Sequence, residues 1–278
     1  MTQAADAPTD ESGRQYHIRL KAGDLPGYVL IPGDPGRVDR IGQDWETYEE
    51  LAFYREYKSA RGTYQGVPVG AVSTGIGMGS AEIGLQELRV IGTHTVIKVG
   101  TTGALAPNIG CGDLIIPVAG MRRDGVSPMY APLEFPAFAH PEVFLALIEA
   151  CQRLGYTYHV GLVCSSGSFY LGQGRPVAGG YTQSWREPET LIADLRALRV
   201  TNFDMESAGI MVLGHCLGMR AGSVVSVMAN RTTNEWGDNG GERRACRVGS
   251  EAVKILTEWD ERKRQAGVPI VFPSLFSG

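Results

Sequence analysis

The segment Asn202-Phe203-Asp204-Met205-Glu206-Ser207-Ala208-Gly209 sets a carboxylate on either side of one methionine. Residues two apart on an extended chain share a face, so Asp204 and Glu206 could enter one crevice, where a pair of neighbouring hydroxyls suits carboxylate oxygens. If a helix begins at Met205 instead, the same carboxylates serve its N-terminus. Lys98 interrupts the otherwise apolar run "TVIKVGTTGAL". Lysine is seldom buried without a partner, so an anion should lie in reach, either a carboxylate of the chain or a ligand, with the hydroxyls of Thr101 and Thr102 just beyond. In "VLIPGDPGRV", Gly33, Gly36 and Arg37 stand where a strand gives way to a helix, an arrangement of amides and guanidinium that suits phosphate. Taken alone it reads more readily as a tight turn with a solvent-facing arginine. "SSGSFYLGQGR" offers Phe169 as a platform beside Gln173 and Arg175, whose amide and guanidinium can address a planar ring bearing carbonyls and an N–H; a plain surface loop is the simpler reading. "STGIGMGSAE" nearly matches a dinucleotide fingerprint, but Ser80 stands in place of the last glycine and the next strand closes on Lys98-Val99-Gly100 without an acidic residue, which leaves a nicotinamide enzyme as a weak rival.

Elements able to position these groups follow from the periodicity. "GYVLIPG", "VPVGAVSTG", "HTVIKVG", "GDLIIPVAG", "HVGLVCSSG", "LRVTNFD" and "AGSVVSVMAN" read as strands. "SAEIGLQELRVIG", "PEVFLALIEACQRLG", "ESAGIMVLGHCLG" and "GSEAVKILTEWDERKRQ" repeat apolar residues every three to four positions and read as helices. Alternating β and α implies a largely parallel sheet covered on both faces, with ligands at the carboxyl ends of its strands. Two polar, Gly-rich stretches, 176–189 and 231–244, read equally as covers over a site or as surface loops. The division expected is a flexible leader over 1–14, one domain over 15–267, and an apolar, proline-broken tail over 268–278 that docks on the body or on a neighbouring subunit.

The chain has 278 residues, a hydrophobic fraction of 43% and a formal net charge of -4, which supplies no general basic field for nucleic acid. Five scattered cysteines without a C-x-x-C pair argue against a disulfide framework or a structural zinc site. The N-terminus lacks the features of a secretory signal and no run reaches membrane-spanning length, so a soluble cytoplasmic protein is expected.

In order and spacing, "PGDPGRV", "REY", "STGIGMGSAE", "VGTTGA", "APLEFPA", "SSGSFYLGQGR", "DMESAG" and "NRT" resemble the nucleoside phosphorylase-I superfamily, and within it the uridine phosphorylases, from about Tyr16 to Arg262. The resemblance implies a three-layer α/β/α sandwich with a mixed, largely parallel central sheet, and a homohexamer built as a trimer of dimers with shared sites. It implies phosphorolysis of uridine to uracil and ribose 1-phosphate, with inorganic phosphate as co-substrate and no other required cofactor. By the same resemblance Gly33, Arg37, Lys98 and Thr101 would hold phosphate, joined by Arg55 from the neighbouring subunit. Met205, Glu206 and His17, the last also donated in trans, would hold ribose. Phe169, Gln173, Arg175 and Arg231 would hold the base, with Arg175, Gln173, Glu206, Arg37 and Thr101 carrying catalysis. Glu56, Ile76 and Ser80 match the positions of a potassium ion between subunits.

This chain departs from the family pattern twice. Lys98 replaces an arginine, turning a bidentate clamp into a point charge, and Asp204 replaces a glutamate. "VMANRTT" offers Asn230 and Arg231 where purine-cleaving relatives carry an aspartate, which disfavours purines. A sister enzyme using another pyrimidine nucleoside, a hydrolase in which water replaces phosphate, and a non-catalytic nucleoside-binding module stand as alternatives.

Overall fold

The computed structural model describes residues 6, 8–181 and 190–276. Part of the stretch 176–189 read as a cover therefore lies outside the described residues, as do parts of the leader and the tail. In chain order the elements are β1 (Tyr28–Pro32), α1 (Pro35–Gly42), β2 (Thr47–Tyr54), β3 (Tyr57–Tyr64), β4 (Val67–Val72), α2 (Met78–Val90), β5 (Thr95–Ala104), β6 (Leu114–Arg123), β7 (Ala137–Phe138), α3 (Pro141–Leu154), β8 (Tyr158–Ser166), α4 (Leu191–Ala197), β9 (Val200–Asp204), α5 (Ser207–Cys216), β10 (Arg220–Asn230), β11 (Glu235–Trp236) and α6 (Gly241–Ala266).

One mixed sheet runs through the molecule in the order β11-β10-β6-β8-β9-β5-β1-β4-β3-β2. Because β5 also pairs with β10, in parallel, and with β9, antiparallel, the strands β5, β10, β6, β8 and β9 curl into a closed ring, from which β1, β4, β3 and β2 extend as an open wing. Helices cover the sheet on both sides. Leu30, Ile97 and Val99 pack with apolar residues of α1, α3 and α6, whereas Val29, Ile31 and Val96 pack with those of α2 and α5. Alternate residues of β1 and β5 thus face opposite helical layers, which is why these strands read as unbroken apolar runs and why the molecule is a three-layer α/β/α sandwich. A smaller cluster seats α4 on β9 through Leu191, Leu195, Val200 and Phe203.

All seven strands expected from the sequence are present, and the β2–β3 hairpin is added to them. Most of β2 is exposed, so it carries no inward-facing apolar alternation to announce it. Ahead of the expected domain boundary, Thr9 bridges to Gln15 and Asp10 accepts hydrogen bonds from the amides of Ser12 and Arg14. The tail docks on the body: the Val271 amide donates to Glu142 at 3.2 Å, and the ring of Phe276 lies 5.6 Å from that of Trp259.

Glu142 belongs to an ion network that ties α3, α6 and the start of β10 together. Arg220 donates to Glu142 at 2.9 Å and to Asp260 at 2.6 Å, while Lys263 reaches Glu142 at 2.7 Å and Asp260 at 2.8 Å. Burial alone would push both carboxyls up, but hydrogen bonds from Arg220 and Lys263 outweigh it and hold them below their ordinary values of 4.5 and 3.8. An acid whose folded pKa is depressed contributes stability that is complete above its unfolded pKa and is lost as pH falls through the folded one. Acid unfolding followed by circular dichroism should therefore set in below about pH 4, and Glu142→Gln should flatten that limb. An unchanged acid limb in the variant would remove Glu142 from this account.

Candidate active site

The crevice forms where β1, β4, β5, β8, β9 and β10 end. After β1 the chain turns into α1, whose first position is Pro35 and whose N-cap, Asp34, accepts from the Gly36 amide at 2.9 Å. This turn lies against the turn after β4. A Cβ on Gly33 would come within 3.0 Å of the Gly75 carbonyl oxygen, so this approach depends on glycine at 33, while Gly75 itself takes φ +72°, a conformation that favours glycine. Arg37, on the first turn of α1, is buried; its Nη1 donates to the Val99 carbonyl of β5 at 3.2 Å.

Lys98 settles the question raised by its place in an apolar strand. It is 5% exposed, and its ammonium meets Asp204 Oδ2 at 2.5 Å and Glu206 Oε2 at 2.6 Å. Both anions are carboxylates of the chain, and one of the three ammonium donors is left over. Burial by itself would lower the Lys98 pKa and raise that of Asp204. Their mutual attraction, strengthened by hydrogen bonds to Asp204 from Ser165 and Ser207, reverses both, so the lysine is held above and the aspartate below its ordinary value.

Asp204 and Glu206 divide the two roles open to them. β9 ends at Asp204, and its carboxylate accepts from the Ser207 amide at 3.1 Å and from Ser165 Oγ at 2.5 Å, so Asp204 serves the start of α5 and is fully engaged. Glu206 stands at the N-cap position yet makes no capping bond. Its Oε1 accepts the Gly77 amide at 2.6 Å instead, which pins it across the crevice to the Gly-rich turn before α2. A carboxylate with one partner on each oxygen retains acceptor capacity. Met205, between them, is half-buried.

The loop after β8 brings the ring-binding candidates together. A short 3-10 turn, Leu171–Gln173, buries Gln173, whose Nε2 lies 3.4 Å from the Asp204 carbonyl oxygen. Arg175 donates to Gln173 Oε1 and, at 2.8 Å, to the Phe169 carbonyl, and its guanidinium stacks 3.8 Å from the centroid of the Phe169 ring. Arg231, at the end of β10, donates to the Gln173 carbonyl at 2.9 Å and so anchors this loop to the sheet. Burial, and then the nearby charge of Arg231, pulls the Arg175 pKa down to about 10. Both arginines border Gly103 of β5, where a Cβ would meet Arg231 Cγ at 3.5 Å and Arg175 Nη2 at 3.8 Å.

Strand alternation sets Thr101 on the face of Ile97 and Val99, towards α6, and Thr102 on the face of Lys98. Thr102 donates to the Phe203 carbonyl and accepts from Asn202, a structural role. Asn230 is likewise committed: its Nδ2 donates to the carbonyls of Ala106 and Ile109 at 2.9 and 2.8 Å, and its Oδ1 accepts the amides of Thr232 and Thr233. It has no proton to give a ligand.

Of the remaining candidates, His17 and Arg55 are held by other partners within the chain, whereas Glu56, Ile76 and Ser80 lie at the Gly75–Gly77 turn of this crevice. His17 is held by Glu87 of α2 at 2.6 Å, a buried carboxylate that the sequence reading passed over on an otherwise apolar helix face. Arg55, exposed at the tip of the β2–β3 hairpin with φ +56°, stacks on Tyr54 and Tyr16. Hydrogen bonds from Arg55, Tyr16 and Arg19, and lastly the charge of Arg55, draw the Tyr54 phenol down to about 8. Glu56 and Ser80 come together beside Gly75, where a Cβ would lie 2.9 Å from Glu56 Cγ and 3.1 Å from Ser80 Oγ, and Ser80 Oγ is 3.5 Å from the Ile76 carbonyl oxygen. Glu242 of α6, which the sequence reading did not single out, reaches Arg37 at 2.9 Å.

A family model described as the phosphorylase superfamily matches residues 28–257. The chain is 51% identical over 272 residues to a uridine phosphorylase of Thermococcus kodakarensis, covering 98% of this chain and 97% of the relative. It is 38% identical to a uridine phosphorylase of Escherichia coli, over 87% of this chain and 95% of the relative. A guanosine phosphorylase of Halorubrum lacusprofundi is 33% identical over 78% of this chain and 84% of its own length.

Proposed function

The chain belongs to the phosphorylase superfamily, and we infer that it is a pentosyltransferase catalysing the reversible phosphorolysis of uridine to uracil and ribose 1-phosphate. The observation that carries the choice of base is the Gln173–Arg175 pair beside Phe169, set against an Asn230 whose amide is saturated by the backbone. Gln173 can give and take hydrogen bonds on adjacent ring atoms and Arg175 can donate to a ring carbonyl, whereas Asn230 cannot protonate a purine.

In the reaction the bond from the anomeric carbon to the base nitrogen breaks, with its electron pair leaving on uracil, and a phosphate oxygen bonds to the same carbon. Positive charge grows on the sugar and negative charge on the base. Phosphate held by Gly33, Arg37, Thr101 and the remaining donor of Lys98 stabilises the first, and Arg175 with Gln173 stabilises the second on the carbonyl oxygens. Glu206 accepts from the ribose hydroxyls and Met205 packs on the sugar, while Asp204 keeps Lys98 and the start of α5 in place.

The site is completed by a second copy of the chain. Arg55 on its hairpin reaches the phosphate, and His17, oriented by Glu87, meets the 5′-hydroxyl, of a neighbouring site, in a homohexamer built as a trimer of dimers. The oxygens of Glu56, Ser80 and Ile76 suit a hard monovalent cation such as potassium, as half of a coordination shell whose other half comes from the partner. No helix among the described residues is long and apolar enough to cross a membrane, and the five cysteines are free, in keeping with a cytoplasmic protein.

Uracil release from uridine with and without inorganic phosphate tests the reading. Release that requires phosphate and yields ribose 1-phosphate in equal amount is expected. Release at the same rate without phosphate would make the chain a hydrolase, and binding without release would make it a nucleoside-binding module.

A further inference from the structure

The edge of Arg37 that should grip an oxyanion is already half occupied. Glu242, on the first turn of α6, accepts from Arg37 Nη2 at 2.9 Å, and its other oxygen pairs with Arg40, which also pairs with Asp34. The Arg37 side chain is 8% exposed, and its Nε is buried without a partner. Nε and Nη2 lie along one edge of the planar guanidinium, the edge that holds two oxygens of a carboxylate or phosphate side by side. Glu242 takes one donor of that edge and leaves the other unsatisfied, although a buried polar group without a hydrogen bond is costly.

An arriving oxyanion would satisfy Nε, but it would have to share Nη2 with a carboxylate of like charge or displace it. Arg40 offers the displaced carboxylate a place to go, since its Nε already lies against the second Glu242 oxygen as an ion pair and has no hydrogen bond of its own. We propose that Glu242 is a positioning residue that competes with inorganic phosphate for Arg37, holding the phosphate site at reduced affinity and swinging onto Arg40 when phosphate enters. This rests on the reading of Arg37 as a phosphate ligand.

Calorimetric titration of inorganic phosphate into the full chain, together with steady-state kinetics, separates the two. Glu242→Gln keeps the shape and removes the charge, so it should tighten phosphate binding about fivefold to tenfold by lifting a like-charge contact. KM for phosphate should fall without a parallel fall in KM for uridine. A mere prop for Arg37 would give the opposite sign, so weaker or unaltered phosphate binding in Glu242→Gln overturns the proposal. Arg40→Gln leaves Glu242 in place and removes its alternative partner; it should weaken phosphate about threefold, and no weakening also counts against the proposal, even if Glu242→Gln does not fold. Arg37→Gln, which removes the charge as well as the fork, distinguishes the two failures. If it leaves phosphate binding intact, the phosphate reading of Arg37 is wrong; if it weakens binding while Glu242→Gln fails to tighten it, only the competition is wrong.

Discussion

Arg175→Ala is expected to slow uracil release about 10²- to 10³-fold, the usual loss when one preorganised donor to a developing anion is removed. The size of the effect follows from how firmly the guanidinium is held before substrate arrives. It is stacked on Phe169, bonded to the Phe169 carbonyl and to Gln173 Oε1, and half-buried, so its charge acts where water screens it weakly. Its removal also frees Gln173 to turn. Charge on the base is largest in the transition state, so the loss should fall on kcat more than on KM for uridine. Single-turnover release of uracil is the direct measurement, and a rate close to the parental one would mean that the base sits elsewhere.

Lys98→Met should be the most destabilising single change at the site. It deletes the cation between Asp204 and Glu206 while leaving Asp204 at 4% exposure, and breaking a buried pair by removing one partner typically costs about 3–5 kcal/mol. The urea midpoint should fall with the slope of the transition retained. Activity should fall as well, because Glu206 loses one of its two anchors and phosphate loses a positive charge. The double variant Lys98→Met/Asp204→Asn removes the stranded charge and should recover part of the stability without recovering turnover. A Lys98→Met midpoint equal to the parental one would show that the two carboxylates do not depend on this lysine.

The same lysine shows how much of the site could be read without coordinates. An ammonium in a doubly buried strand demands an anion whatever the fold, because the desolvation cost is local and large. The identity of that anion depends on β9 lying antiparallel beside β5, which brings Asp204 next to a residue 106 positions away. That Asp204 and Glu206 turn to one place was likewise legible, since both carboxylates meet Lys98. Their division into one carboxylate that serves α5 and Lys98 and one that spans to the Gly77 amide depends on where β9 stops and α5 begins. The β2–β3 hairpin was missed because β2 is mostly exposed and the buried residues of β3 do not alternate strictly, so neither strand leaves a clean period-two pattern, and Glu87 was passed over because one charge on a helix face usually points to solvent. Glu242 carried no local signal of any kind, since its significance comes from Arg37.

By itself the sequence determined the alternation of strands and helices, the burial of β1 and β5 on both faces, and the types of group gathered at the strand ends. Those properties depend on a few neighbouring residues and on the price of burying them. Only the tertiary structure decided which distant groups meet: the ring closed by β5 and β10, the Lys98 bridge between two carboxylates, the loop clamped by Arg231 and the Glu242 carboxylate set against Arg37. Each of these rests on contacts between residues far apart in the chain, and such contacts are set by packing of the whole sheet rather than by any local preference.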